Sequence, residues 1–227
     1  MTTDQMSAKL DIVSSAKDVL AIAASRSSRP IIVNSFGRSG STVLFNAVSR
    51  AASRFGEFGA RHVVRGYAWD LSRQQLGTRR CYKSHDYPSP TLRSDARVLY
   101  VFANPIAATY SLINRVQRSG PEWLDEHCKH LRAEKTNVGS LGDRDALDVA
   151  GHLRAWLTQE TVRTAFVQYE SLWELEKEIS DFLGFEVLLP PQRARSSTGD
   201  AISPKMEAAY QEAIQIVDSL PKWSVHN

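Results

Sequence analysis

Short unbroken apolar runs alternate along this chain with longer stretches in which apolar positions recur at helical spacing. Residues Pro30 to Asn34 (Pro-Ile-Ile-Val-Asn), Arg97 to Phe102 (Arg-Val-Leu-Tyr-Val-Phe) and Thr164 to Gln168 form the runs. Runs of this length predict buried parallel strands. Arg80 to Lys83 predicts a further strand, and residues 55–78 predict a short strand and then a helix around Trp69 to Leu76. Helical spacing predicts helices over Thr42–Arg54, from Asn104-Pro105 onward, Pro121–Glu134, Asp143–Gln159, Tyr169–Phe182 and Lys205–Leu220. Gly139 to Gly142 reads as a loop, and so do residues 186–204, with Pro190-Pro191, Gly199 and several serines.

Alternation of strand and helix over most of the length predicts an α/β fold, a three-layer α/β/α sandwich with a central, mainly parallel sheet. Apolar positions at Leu10, Val13, Val19, Leu20 and Ala23 predict an amphipathic helix in residues 1–29. That helix packs on the domain or on a partner, so a homodimer is one expectation. Residues 30–227 then form a single domain.

Composition narrows the class little. The 227 residues are 42% hydrophobic and 23% charged, as in an ordinary globular domain with a core of its own. The net charge of +3 is too small to argue for nucleic acid. Seven arginines between positions 50 and 80 (Arg50, Arg54, Arg61, Arg65, Arg73, Arg79, Arg80) read mostly as solvated surface, with a positive rim for an anion as the other reading. Cys81 and Cys128 make no disulfide framework. His127, Cys128 and His130 read as a plain helix surface, because no second ligand cluster accompanies them. No basic segment followed by an apolar core opens the chain, and no apolar run spans the roughly 20 residues a bilayer requires. The expectation is a cytoplasmic protein without a membrane span.

The chemistry concentrates where the first strand gives way to the first long helix, at Ser35-Phe36-Gly37-Arg38-Ser39-Gly40-Ser41-Thr42. Amides at a helix N-terminus lack intrahelical partners, and the helix dipole favours an anion there. Gly37 and Gly40 permit a tight turn. Ser39, Ser41 and Thr42 add hydroxyl groups, and Arg38 adds a fixed charge. A triphosphatase loop needs a lysine where Ser41 stands and a glycine where Ser35 stands.

The same eight residues resemble the 5′-phosphosulfate loop of the sulfotransferases that use 3′-phosphoadenosine 5′-phosphosulfate (PAPS). Further stretches follow in that family's order. Tyr82-Lys83-Ser84-His85 is similar to the segment bearing its catalytic base. Val98 to Ser111 is similar to its 3′-phosphate strand-to-helix motif. Tyr169-Glu170-Ser171-Leu172 with Phe182-Leu183-Gly184, and Arg193 to Asp200, are similar to its later motifs. The resemblance covers roughly residues 30–210 and implies a P-loop sulfotransferase fold that moves a sulfuryl group to a hydroxyl or amine.

It further implies that His85 is the base, and that Arg38 and Lys83 offset charge on the transferring group. Phe36, Gly37, Arg38, Ser39, Gly40, Ser41 and Thr42 would hold the 5′-phosphate, and Asn104 and Ser111 the 3′-phosphate. Tyr169 would lie near adenine, with Arg193 and Arg195 closing over the nucleotide and no metal required. Two positions depart from the family. Ala103 stands where an arginine normally grips the 3′-phosphate, and Val43 where cytosolic members carry a tryptophan. A charge-assisted contact contributes roughly 1.5–3 kcal/mol, so either Arg193, Arg195 or another arginine substitutes, or the donor differs, or catalysis is lost. Trp69, Trp123, Trp156 and Trp173 read as core or acceptor-pocket wall. Two alternatives stay open: a magnesium-dependent phosphotransferase on the same scaffold, and a non-catalytic nucleotide-binding module, which Ala103 favours. The expected partners are a nucleotide donor and a hydroxyl-bearing acceptor, with no nucleic acid.

Overall fold

A computed structural model describes residue 16 and residues 19–74, 76–77, 80–192 and 203–226. Arg193 and Arg195, and most of the expected N-terminal helix, lie outside these; residues 19–24 are helical.

Six strands form one sheet in the order β2-β3-β1-β4-β5-β6. They are β1 (Ile31–Asn34), β2 (Arg65–Tyr67), β3 (Cys81–Lys83), β4 (Arg97–Phe102), β5 (Arg163–Gln168) and β6 (Trp223–His226). All neighbours run parallel except β5 and β6, which are antiparallel. Strand period two divides the side chains into two cores. On one face Ile32, Val98, Tyr100, Phe102 and Phe166 meet the helices Pro105–Ser119 (α3), Pro121–His130 (α4) and Val149–Thr158 (α6). On the other, Ile31, Val33, Leu99, Val101 and Val167 meet the helix Ser41–Ala52 (α1), the 3₁₀ helix Tyr169–Glu174 and the helix Glu176–Leu183 (α7). The architecture is the expected three-layer α/β/α sandwich. Among the described residues no helix is long and apolar enough to cross a membrane.

Four local expectations need correction. Among the described residues no helix forms around Trp69 to Leu76, because the Asp70 carboxylate accepts from the Ser72 amide (3.1 Å), the Ser72 hydroxyl (2.5 Å) and the Arg73 amide (3.2 Å). Such side-chain turns compete with helix formation. The short strand expected before this segment is edge strand β2, preceded by a short helix Gly56–Gly59 (α2) and a π-turn over Ala60–Val64. Gly139 to Gly142 lies inside a helix, Val138–Asp143 (α5), capped by Asn137 and anchored by buried Leu141. The helix expected over Asp143–Gln159 starts only at Val149, where Asp148 caps the Gly151 amide. The C-terminal helix breaks at buried Tyr210 into Pro204–Ala209 (α8) and Gln211–Ser219 (α9), and the Tyr210 hydroxyl donates to the Leu141 carbonyl (2.9 Å).

Candidate functional site

At the carboxyl end of the sheet, β1 sits between β3 and β4, so the loops leaving these three strands converge. Crevices at such switch points are where open parallel sheets bind ligands. The β1 loop runs from Ser35 to Gly40 through three left-handed residues, Gly37 (φ 100°), Arg38 (φ 54°) and Gly40 (φ 82°). Ser35 organises it: its hydroxyl donates to Ser41 Oγ (2.9 Å) and accepts from the Gly37 amide (3.1 Å). The Ser39 hydroxyl donates to the Gly37 carbonyl (3.0 Å). Among the described residues no side-chain cap hydrogen bond closes the start of helix α1 behind Gly40, which leaves amide donors and a favourable dipole for an anion.

Cationic side chains come to this loop from two directions. Lys83, at the end of β3, donates to the Thr42 hydroxyl (2.8 Å). Burial, with the positive charges of Arg38 and Arg65 behind it, brings the Lys83 ammonium down to about 8. Arg38 Nε donates to the Ser111 hydroxyl on α3 (3.1 Å), tying the first loop to the second element expected to meet phosphate. Asn104 takes a structural role, its side chain accepting from the Ala107 amide (3.0 Å) to cap α3. Ala103 is fully buried. The Tyr169 ring lies against the loop, occupying the space a side chain at Gly40 would need.

His85 follows β3 and is buried, with 7% of its surface exposed. Its Nδ1 is 2.7 Å from the Ser35 carbonyl, which can only accept, so Nδ1 carries the proton and Nε2 the lone pair. Nε2 makes no hydrogen bond among the described residues. Burial first, then the neighbouring His127 and the Lys83 charge, hold this imidazole well below 6.5, so it is neutral across the physiological range.

The loop carrying His85 is clamped from beneath. The Asp86 carbonyl accepts from Asn34 Nδ2 (3.0 Å), Trp156 Nε1 (3.0 Å) and His152 Nε2 (3.2 Å). Its fully buried carboxylate accepts from Arg132 at both oxygens and from the Leu71 amide (2.7 Å). Replacing this charge with an amide of the same shape weakens charge-assisted bonds contributing roughly 1.5–3 kcal/mol. Asp86→Asn is therefore expected to lower unfolding stability by about that amount, read as a shift in urea midpoint. An unchanged midpoint would remove Asp86 from the framework of the site.

Sequence reasoning missed several residues here. His127 is not on a helix surface; it is buried beneath Gly37, with its ring 5.3 Å from His85 and stacked on Trp123 (5.0 Å). Cys128 beside it is buried in the core. The signal was present, since Leu124, His127, Cys128 and Leu131 recur at helical spacing and all four are buried. Trp69 stacks on His85 (5.6 Å) and on His130 (4.1 Å), forming one wall of the site. Trp156 is core. Among the described residues no group of three His, Cys, Asp or Glu side chains is placed to hold a metal ion.

No family model matches this chain, and no curated protein matches it. Among solved structures it is similar to mouse sulfotransferase SULT7A1 complexed with PAP, at 14% identity and a TM-score of 0.41, over 90% of this chain and 70% of that one.

Proposed function

We propose that this chain is a sulfotransferase that moves a sulfuryl group from PAPS to a hydroxyl or amine acceptor. The observation that carries the reading is a neutral imidazole, His85, whose hydrogen-bonded Nδ1 leaves Nε2 as an acceptor beside an anion loop flanked by Lys83 and Arg38. The ordered motifs from Ser35 to Ser111 support it. Transfer of this kind asks mainly for positioning and charge stabilisation from the protein. The His85 Nε2 takes the acceptor proton as the acceptor atom bonds to sulfur. The bond from sulfur to the bridging oxygen breaks, and its electron pair leaves with the bisphosphate. Lys83 and Arg38 offset the charge that grows there, while the α1 amides hold the 5′-phosphate.

Lys83 gives this reading a pH signature. Its ammonium is lost as pH rises through about 8, whereas a bound phosphate favours the charged form. The affinity for 3′-phosphoadenosine 5′-phosphate (PAP), measured calorimetrically without metal, is expected to be constant below that pH. Above it, affinity falls by up to about tenfold per unit until the bound-state pKa is passed. Lys83→Arg, whose guanidinium stays charged, is expected to flatten the fall. Binding of magnesium-ATP in place of PAP would replace this reading with the phosphotransferase one. Binding of PAP without turnover of any acceptor would favour the binding module.

A further inference from the structure

Two buried histidines lie close to His85, and they differ in how their nitrogens are used. His152 is satisfied at both: Nδ1 meets the Tyr100 hydroxyl (2.8 Å), and Nε2 meets the His85 and Asp86 carbonyls (3.2 Å each). This is the arrangement of a core histidine. His127 is buried too, yet among the described residues its Nε2 has no partner. The Phe36 backbone acts on the ring in the sense of a hydrogen-bond acceptor, favouring its protonated form. A backbone oxygen accepts, so the other nitrogen, Nδ1, is the donor. An orphaned buried polar atom is uncommon and calls for a cause.

The cause lies in the ring's neighbours. A Cβ built on Gly37 falls 2.4 Å from both Cε1 and Nε2 of His127, so the edge of the imidazole fills the space a side chain would take. The ring thus holds two successive residues of the loop, Phe36 by its carbonyl and Gly37 by contact. These residues lead into the left-handed turn of Gly37 and Arg38. Trp123, stacked on its face and itself covered by the Arg115 guanidinium (5.7 Å), fixes the ring's tilt. Burial, with His130, Lys83 and Arg38 nearby, keeps the ring neutral by lowering it to about 3. It therefore has one N–H, already committed to Phe36.

We infer that His127 is a positioning residue of the anion loop, holding Phe36 and Gly37 from beneath in the conformation that presents the loop amides. The inference goes beyond sulfuryl transfer and holds whichever anion the loop binds. Its atom-level content is that the Nδ1 donor and the ring's thinness matter, and the Nε2 lone pair does not. An asparagine amide reaches where Nδ1 stands, and a glutamine amide where Nε2 stands.

Amide hydrogen exchange on the full-length protein reads this without any ligand. His127→Ala is expected to speed exchange over residues 36–42 roughly tenfold, the change that loss of one neutral hydrogen bond allows, with β4 unchanged. His127→Asn should stay within about threefold of the wild type, and His127→Gln should behave as alanine. Should His127→Ala fail to fold, the asparagine and glutamine variants make the same comparison. A second measurement uses the contact: Gly37→Ala should speed loop exchange less in the His127→Ala background than in the wild type. In PAP titrations the alanine variant should bind roughly tenfold more weakly and the asparagine variant nearly as the wild type. If the wild type does not bind PAP, the donor assignment fails, while the exchange comparison still decides the role of His127. Rescue by glutamine and not asparagine, or exchange rising equally in loop and core, overturns the inference.

Discussion

His85→Ala is expected to lower kcat by roughly 10²–10⁴-fold, the range general-base catalysis supplies, while PAP affinity falls by no more than about tenfold, the change that loss of one neutral hydrogen bond to the loop allows. The separation follows from where the ring is tied. Nδ1 is spent on the Ser35 carbonyl, so the ring's remaining function resides in Nε2, and the groups proposed to bind the anion belong to other residues. His85→Asn is the sharper variant. Its amide can still donate where Nδ1 stood, keeping Ser35 and the loop in place, yet it offers no base. It should be as inactive as alanine while binding PAP as the wild type does.

The pH profile separates this base from an ordinary histidine. A group held well below 6.5 is already deprotonated at pH 6, so kcat should not rise across pH 6–7.5. A kcat in His85→Ala within tenfold of the wild type would leave proton removal to solvent. The site would then be an anion-binding module with a buried histidine beside it.

Much of this site was legible because its signals are local. An apolar run, two glycines within four residues and a following helical pattern locate the loop without any tertiary knowledge. Lys83 and His85 follow from the end of a strand. What escaped depends on contacts between distant segments. Asp70 looks like a helix residue until its carboxylate captures Ser72 and Arg73. Strand β6 has only four residues and is recruited by the edge of β5, from Thr164↔His226 to Val167↔Trp223. The Val138–Asp143 helix contains two glycines, and propensity disfavours it. It persists because Leu141 is buried and its carbonyl receives the Tyr210 hydroxyl from 69 residues away.

His127 escaped for a different reason. As a member of a His-Cys-x-His cluster it invites a metal-ligand reading, and without a second ligand cluster that pattern leaves only a surface position. The apolar spacing from Leu124 to Leu131 held the better answer, that the residue faces inward. The Arg38–Ser111 bond was out of reach for sequence in the same way, since nothing local predicts that a loop arginine crosses to α3. That bond bears on Ala103. Position 103 is buried and has no charge to offer, whereas the Arg38 guanidinium already reaches Ser111.

Gly40→Ala is expected to be the most damaging single-methyl change in the loop: a positive φ and a ring in the way meet at Gly37 and at Gly40, and the ring is closer at Gly40. The backbone is left-handed, at φ 82°, where a Cβ costs roughly 1–2 kcal/mol. A Cβ there would also fall 1.9 Å from Tyr169 Cδ2 and 2.2 Å from Cε2, so the ring or the loop must shift, at roughly 1–3 kcal/mol more. Gly184 provides the control within the same chain. Its φ is 81° and, among the described residues, nothing lies within 4 Å of the added carbon, so Gly184→Ala isolates the backbone cost. Urea denaturation should therefore show about 1–2 kcal/mol lost at Gly184 and about 2–5 kcal/mol at Gly40. PAP affinity should fall at least tenfold in the second variant and not in the first. Removing the ring should return part of the loss: with Tyr169→Ala already in place, adding Gly40→Ala should cost no more than Gly184→Ala does. Equal costs at the two glycines in the wild-type background would mean that Tyr169 yields freely and does not shape the loop. Unequal stability with unchanged PAP affinity would separate the glycine's structural role from the anion site, and the ligand would then have to be held elsewhere than on the α1 amides.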